Sequence, residues 1–212
     1  MGIEMEKYMR LKEKYGAQAS WAIWDNAPEG EEHTKKNVDG MDWYKKDESK
    51  LVKRLNDKYI LVGLNCSEQD SKAGTWQNFH STDKKKCRDH VLRYAIMGRK
   101  VEGSYITGKV EGSYITDLFK GIRKTKSGNV IGKMKKDDVE CRRQIANFKK
   151  EIDLVSEKPV LIAIGGGVEW FLKKYCREYT IVKIPHYAAW QIPLEKYCKK
   201  CQEVFESLEE RQ

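Results

Sequence analysis

The sequence predicts an α/β protein, a three-layer α/β/α sandwich with a central, mainly parallel four-stranded sheet. Short unbroken apolar runs, such as YILVG at 59–63, are typical of strands that are buried on both faces of a sheet. Segments with helical spacing separate these runs, and strand–helix–strand units favour right-handed crossovers. The 212 residues fit one domain, 1–212, with an N-terminal helical extension over 1–56 and a core over 57–212.

The segments before the first buried strand predict two helices and one short strand. Apolar residues at helical spacing predict a helix over 5–15, and Gly16 is placed to end it. The run SWAIW at 20–24 has the composition of an edge strand. The polar stretch 25–39 predicts a loop, and 43–55 fits a second helix that leads into the strand at 59–63.

A loop that carries aromatic and amide side chains follows the first buried strand. The segment QDSKAGTWQNFHS at 69–81 is too rich in turn-forming residues for regular structure, yet it contains Trp76, Asn78 and Phe79. Such a loop after a strand favours a binding site, although both aromatic residues could instead fill the core. Helical spacing resumes over 83–97.

An eight-residue sequence, KVEGSYIT, occurs at 100–107 and again at 109–116. Two adjacent copies indicate a local duplication, because solenoids need longer and more numerous repeats. The second copy continues into DLFKG, so SYITDLF at 113–119 predicts the second strand of the sheet, with Asp117 near its end. The first copy predicts a loop extension or an added hairpin.

The rest of the chain predicts two more strands and three helices. A turn at 125–129 precedes a long charged helix over 135–156, whose predicted buried face comprises Val139, Ile145, Phe148, Ile152 and Val155. The run VLIAIGGG at 160–167 predicts the third strand. A helix over 168–175, a strand over 179–184 and a helix over 193–208 follow it.

Polar and glycine residues follow the predicted strands and should converge. Asn65, Asp117, the glycines 165–167 and His186 each stand at the end of a strand. Parallel strands end at one edge of their sheet, where ligands bind in such folds. The glycine run permits close backbone approach, and a helix start favours anions, although tight packing alone would also explain it.

Composition restricts the partners and the compartment. Lys and Arg number 41 against 32 Asp and Glu, a net charge of +9, which suits a polyanion such as nucleic acid or merely keeps the chain soluble. No apolar run approaches the roughly 20 residues of a membrane span, and the first 25 residues lack the apolar centre of a signal peptide. We therefore expect no membrane partner and a cytoplasmic protein, or a nuclear one in a eukaryote.

Four segments resemble motifs of the uracil-DNA glycosylase superfamily, in order and in spacing. GLNCSE at 63–68 resembles the first motif of the mismatch-specific and single-strand-selective branches, and YITDLFKG at 114–121 resembles a strand of the family 4 enzymes. VLIAIGGG and IPHYA, at 184–188, resemble the later glycine turn and histidine motifs. The resemblance covers about 59–190 and implies a monomeric DNA base-excision glycosylase that uses bound water and no cofactor.

The resemblance also implies roles for individual residues. Asn65 would position the attacking water, and His186 would donate to the base carbonyl oxygen on which negative charge develops. Phe79, or alternatively Trp76, would stack on a flipped base whose pairing edge Asp117 reads. The implied sets are Gly63, Asn78, Phe79, Asp117 and Trp76 for base binding, and Ser67, Gly166, Gly167 and Tyr187 for DNA binding.

Three departures from the family pattern leave alternatives open. Cys66 and Ser67 replace a Pro and a Gly, and the iron–sulfur cysteines of families 4 and 5 have no counterpart here. Cys198 and Cys201 form a CxxC without a second pair, so we expect no metal. Asp117 replaces an Asn, and an ionised Asp only accepts hydrogen bonds, so uracil should be read poorly unless Asp117 instead caps a turn or pairs with Lys120. A non-catalytic nucleic-acid-binding protein of this fold, or a hydrolase of free nucleosides or nucleotides, would fit the same motifs.

Overall fold

The computed structural model describes residues 2–24, 47–66, 75–80, 88–97, 100–101, 104–105, 109–122, 127–189 and 191–208. The loop predicted at 25–39 and Ser67 lie outside these residues. The described helices are α1 Met5–Tyr15, α2 Glu48–Arg54, α3 Asp89–Met97, α4 Ser127–Lys136, α5 Asp138–Val155, α6 Gly166–Tyr175 and α7 Leu194–Glu206. The described strands are β1 Ala19–Trp21, β2 Asn56–Asn65, β3 Lys100–Val101, β4 Ser104–Tyr105, β5 Ser113–Phe119, β6 Val160–Ile164 and β7 Thr180–Ile184. The predicted α/β class is confirmed.

The main sheet has five strands in the order β1-β5-β2-β6-β7, rather than the four predicted. The strands β5, β2, β6 and β7 are mutually parallel, whereas β1 runs antiparallel to β5. The added strand is the three-residue β1, which the sequence indicated only as an edge strand. Its pairing with β5 makes the sheet mixed but mostly parallel.

The two copies of the repeat have different structures. The first copy forms the two-residue strands β3 and β4, which pair antiparallel as a hairpin separate from the main sheet. The second copy forms β5, which lies between β1 and β2. The second copy therefore forms the predicted strand of the sheet. The first copy forms a hairpin, which is one of the two predicted alternatives.

Apolar side chains from alternate positions of the strands form two clusters. Ile60, Val62 and Leu64 of β2 join the first cluster, with side chains from α1, α2, α4, α5 and α6. Tyr59 and Leu61 join the second cluster, with side chains from α3 and α7. The run at 59–63 is therefore buried on both sides, and burial of each large aliphatic side chain stabilises the fold by about 1.5–3 kcal/mol.

The predicted helix over 135–156 is confirmed over 138–155, whereas the predicted turn at 125–129 is wrong at 127–129, the part that the structure describes. Helix α4 already begins at Ser127, and Asp137 separates it from α5. The Asp137 side chain accepts a hydrogen bond from the Glu140 backbone N–H at 3.0 Å, which caps α5, and a short polar side chain is favoured at this position. Val139, predicted to be buried, is the second residue after the cap and is 82% exposed.

None of the helices in the described ranges combines the length and apolar character that crossing a membrane would require.

Candidate functional site

The strand order creates a topological switch point at the carboxyl edge of the sheet. From β2 the chain passes to β5 on one side, whereas from β6 it passes to β7 on the other side. In open α/β sheets, ligands bind where the connections of adjacent parallel strands leave in opposite directions. The register Val62↔Ala163 brings the ends of β2 and β6 side by side, so Asn65 and Gly165 lie at this switch point.

Gly63, Phe79 and Asp117 form one compact group beside the switch point. Gly63 of β2 pairs with Asp117 of β5. A Cβ atom on Gly63 would lie 2.4 Å from the Asp117 Oδ1 atom and 2.8 Å from the Phe79 Cζ atom, so only glycine fits. Asp117 is 2% exposed and Phe79 is 6% exposed. The structure therefore brings an aromatic ring and a carboxylate together at this strand end.

Asn78 orients the Asp117 carboxylate. Its Nδ2 atom donates to the Asp117 Oδ2 atom at 2.9 Å and to the Gln18 carbonyl oxygen at 2.9 Å. Lys120 bonds instead to the backbone carbonyl oxygen of Asp117, at 2.9 Å. The side-chain contact of Asp117 is thus with an amide, and the suggested ion pair with Lys120 is not formed.

Phe79 and Trp76 both have a left-handed backbone conformation, with φ of 65° and 59°. Non-glycine residues in this region cost about 1–3 kcal/mol and often occur at functional sites. The tight turn sends the two rings to opposite clusters, Phe79 to the second and Trp76 to the first. Trp76 is fully buried and its Nε1 atom donates to the Tyr8 hydroxyl at 3.0 Å, so it packs in the core rather than beside Gly63.

Asn65 ends β2 with its amide held by the backbone. Its Nδ2 atom donates to the carbonyl oxygens of Cys66 and Ile122, each at 3.0 Å. Both amide hydrogens are directed at protein carbonyl groups, and the Oδ1 atom is an acceptor only. The side chain is half-buried at the end of the strand.

His186 follows β7 and packs against the glycine turn after β6. A Cβ atom on Gly165 would lie 3.3 Å from the His186 Cβ atom, and the imidazole stacks on Tyr187 with ring centroids 4.8 Å apart. The Nδ1 atom accepts from the Ala188 backbone N–H at 3.1 Å. Although its side chain reaches solvent, the protein around His186 lowers its pKa by desolvation. A neutral imidazole with this acceptor carries its proton on Nε2, which makes Nε2 a donor at pH 7.

The glycines after β6 differ in their surroundings. Gly165 has a φ of +94° and caps α6 without a side chain. A Cβ atom on Gly167 would lie 2.6 Å from the Ile131 Cδ1 atom, so close packing of α6 on α4 requires this glycine. Gly166 is exposed, and a Cβ atom there would meet nothing within 4 Å. Of the two glycines among the DNA-binding candidates, Gly166 is exposed, whereas Gly167 is half-buried and has a packing role.

A buried polar network under β5 was not predicted. Glu151 of α5 is 1% exposed and accepts hydrogen bonds from the Tyr114 hydroxyl at 3.0 Å and the Thr116 hydroxyl at 2.7 Å. It also forms an ion pair with Lys120. Burial and this carboxylate raise the pKa of Tyr114 well above its ordinary value. One signal was available in the sequence, because Glu151 lies three residues after Phe148 on the apolar stripe of α5.

The cysteine pair near the end of the chain is enclosed in the core. Cys198 and Cys201 are both buried in α7, within the second cluster. Burial raises the pKa of Cys201 to about 12, so its thiol stays protonated at neutral pH. In the described part of the chain, no three His, Cys, Asp or Glu side chains come together as ligands of a metal ion.

No protein-family model, curated protein or solved structure matches this chain.

Proposed function

We propose that this protein is a monofunctional DNA N-glycosylase with the three-layer fold of the uracil-DNA glycosylase superfamily. It would hydrolyse the N-glycosidic bond of a flipped, damaged or deaminated base with a bound water and no cofactor. The observation that supports the proposal is that Asn65 ends β2 and His186 follows β7 at the same edge of the sheet, with His186 packed on Gly165. The group formed by Gly63, Phe79 and Asp117 lies beside it.

In the proposed reaction, leaving-group departure precedes attack by water. The His186 Nε2–H group donates to a carbonyl oxygen of the base while the C–N bond breaks and its electron pair moves onto the base. The Asn65 Oδ1 atom holds a water against the electron-deficient sugar carbon, and the water oxygen forms the new bond. Asn65 cannot accept the proton as a general base, so one water proton passes to solvent or to the released base.

Recognition of the base falls to Phe79 and Asp117 in this proposal. The Phe79 ring would stack on the flipped base, and the Asp117 carboxylate would accept from donors on its pairing edge. Asn78 fixes the direction of the carboxylate through its 2.9 Å hydrogen bond. The net charge of +9 would supply affinity for the phosphate backbone.

Lys120 is not a covalent nucleophile in this proposal. Its Nζ atom contacts Thr116 at 2.7 Å, the Asp117 carbonyl oxygen at 2.9 Å and the Glu151 carboxylate. These three contacts use the three N–H donors of the Lys120 side chain, so its Nζ atom is held against the protein. No Schiff base with DNA should therefore form at this residue.

One observation favours a second candidate, a non-catalytic nucleic-acid-binding protein of the same fold. Phe79 and Asp117 are almost fully buried, and Asp117 already accepts from Asn78. A base could enter only if these side chains moved apart. If they do not move, the basic surface would still bind nucleic acid, but no base would be released.

A panel of oligonucleotides tests the proposed function. Single- and double-stranded substrates carrying uracil, hypoxanthine, xanthine or mismatched bases would be incubated with the protein and then treated with alkali. The proposal predicts strand cleavage at the modified base only after alkali, and no adduct trapped by borohydride. Binding without cleavage of any substrate would instead support the second candidate.

A further inference from the structure

Trp170 is a large aromatic side chain on the surface of α6. It is 40% exposed, whereas Trp21, Trp24 and Trp76 are buried. A single exposed aromatic residue needs no explanation by itself. The side chains around Trp170 are what distinguish it.

Lysine ammonium groups surround the indole. The Lys135 Nζ atom of α4 lies 4.3 Å from a ring centroid of Trp170, and the Lys174 Nζ atom lies 5.1 Å from it. Lys174 also lies 4.8 Å from the Tyr175 ring, which Arg142 of α5 approaches at 5.4 Å. We define the α4–α6 patch as Lys135, Lys136, Arg142, Trp170, Lys174 and Tyr175.

The positive charge of this patch is not fully compensated. Asp138 offsets one charge, since it pairs with Arg142 of the patch at 2.6 Å, whereas Glu169 pairs with Lys173, outside the patch, at 2.7 Å. Lys135 and Lys136 lie in the last turn of α4 and are exposed. Within the described ranges, neither has a carboxylate within salt-bridge distance. The patch therefore combines two aromatic rings with an excess of positively charged side chains on one surface.

The patch lies close to the edge of the sheet that carries the candidate residues. Helix α6 begins at this edge, after β6, and its Gly167 packs against Ile131 of α4. Trp170 lies three residues after Gly167, and Lys135 lies four residues after Ile131. At 1.5 Å per residue, Trp170 is about 5 Å further along the helix axis than Gly167.

We propose that the α4–α6 patch binds single-stranded DNA next to the target nucleotide. One unstacked base would lie on Trp170, while Lys135 and Lys174 would contact the phosphates on either side. The base would take the place of a lysine ammonium group on the face of the indole. The displaced lysine would then still be close enough to contact a phosphate of the same strand. A single strand fits better than a duplex because only unstacked bases present a ring face to an aromatic side chain. This inference rests on the DNA partner of the proposed function.

Fluorescence anisotropy with a labelled oligothymidylate of about 12 nucleotides tests the inference on the full chain. Trp170→Ala should weaken binding about 5-fold to 100-fold, and Trp170→Phe should restore much of the affinity. Lys135→Gln should lower the slope of log K against log salt by about 0.7, the value for one lost phosphate contact on a single strand. The matched control is Lys158→Gln, an exposed lysine just before β6 at the opposite edge of the sheet, which should leave the slope unchanged.

Unchanged affinity in Trp170→Ala would overturn the inference, as would equal binding of a duplex of the same length. Weaker binding in Lys135→Gln alone would mean that the patch acts by charge without stacking, which also overturns it. If Trp170→Ala unfolds, Trp170→Leu decides in its place, because leucine is apolar but has no ring on which a base can stack, and unchanged affinity in this variant would overturn the inference. Base excision is measured on the same proteins. If binding depends on Trp170 but no base is excised, the proposed function alone is contradicted. If a base is excised but Trp170→Ala binds DNA as wild type does, this inference alone is contradicted.

Discussion

At the scale of single residues, Asp117 is the position to which the proposed function assigns the reading of the base. Its carboxylate lies against Gly63 and accepts from the Asn78 amide at 2.9 Å. A carboxylate offers acceptors only, whereas uracil needs one donor and one acceptor at its pairing edge. An amide could keep the contact with Asn78 through its oxygen and present its N–H to the base.

We therefore predict that Asp117→Asn raises uracil excision relative to wild type. The measurement is the single-turnover rate of uracil release from an oligonucleotide, with hypoxanthine release from the same sequence as the control. If wild type already removes uracil efficiently and the substitution leaves the base preference unchanged, then Asp117 does not read the base.

Protonation of His80 should make the stability of the turn at 75–80 depend on pH. His80 is buried next to Phe79, and its Nε2 atom contacts the Trp21 carbonyl oxygen at 3.1 Å. Burial lowers the pKa of His80 from 6.5 to about 4. Because the folded state disfavours protonation of His80, the stability that neutral His80 contributes is fully present above pH 6.5. This stability is lost as the pH falls from 6.5 towards 4.

We predict that the free energy of unfolding falls by up to about 3 kcal/mol more in wild type than in His80→Gln between pH 6.5 and pH 4. Glutamine can still donate to the Trp21 carbonyl oxygen but does not titrate. Urea unfolding of both proteins across this range measures the difference, and parallel pH profiles would show that the pKa of His80 is the same in the folded and the unfolded chain.

At the scale of elements, the duplicated segment shows how one sequence can have two structures. The second copy becomes β5 because its residues 113–119 are fully buried between β1 and β2. Its Gly112 has a φ of +75°, and a Cβ atom there would lie 2.1 Å from the Arg54 carbonyl oxygen. The hairpin of β3 and β4 pairs only with itself.

We predict that deletion of residues 101–109 leaves a folded protein, since β5 and its neighbours are built from the second copy. Circular dichroism and thermal unfolding would report retained α/β content and a cooperative transition. An unfolded or aggregated product would show that the first copy is needed by the core.

The buried network of Glu151 explains part of what sequence patterns missed at this scale. Tyr114 and Thr116 of β5 both donate to a carboxylate on α5 that is 35 or more positions away. Apolar periodicity placed α5 against the sheet, but it does not report a charged side chain within the apolar stripe. The break at Asp137 was missed for a similar reason, because a local cap overrode a longer helical pattern.

At the scale of the whole molecule, the apolar runs were sufficient to predict the parallel strands and the edge where they end. The convergence of Gly63, Asp117 and Phe79 follows from that edge and from one turn. The hydrogen bond between Asn78 and Asp117 joins residues 39 positions apart, and no pattern in the sequence encodes it. The antiparallel strand β1 is only three residues long, so its pairing depends on tertiary contacts rather than on its own propensity.

The strand order also places the two proposed catalytic residues on separate strands. Asn65 ends β2 and His186 follows β7, with Gly165 after β6 between them. Neither side chain supports the core, since Asn65 is half-buried and His186 is exposed. Substituting them should therefore change chemistry more than folding.

The central claim, that this edge of the sheet breaks an N-glycosidic bond, is tested most directly by single-turnover base excision with Asn65→Ala and His186→Ala. We predict that each variant loses about 10²-fold to 10³-fold in rate on whichever oligonucleotide wild type cleaves, while its DNA affinity and thermal unfolding stay close to wild type. Lys158→Gln serves as the control and should keep the full rate. A full single-turnover rate in either alanine variant would contradict the assigned roles, and the absence of excision by wild type on every substrate would contradict the claim itself.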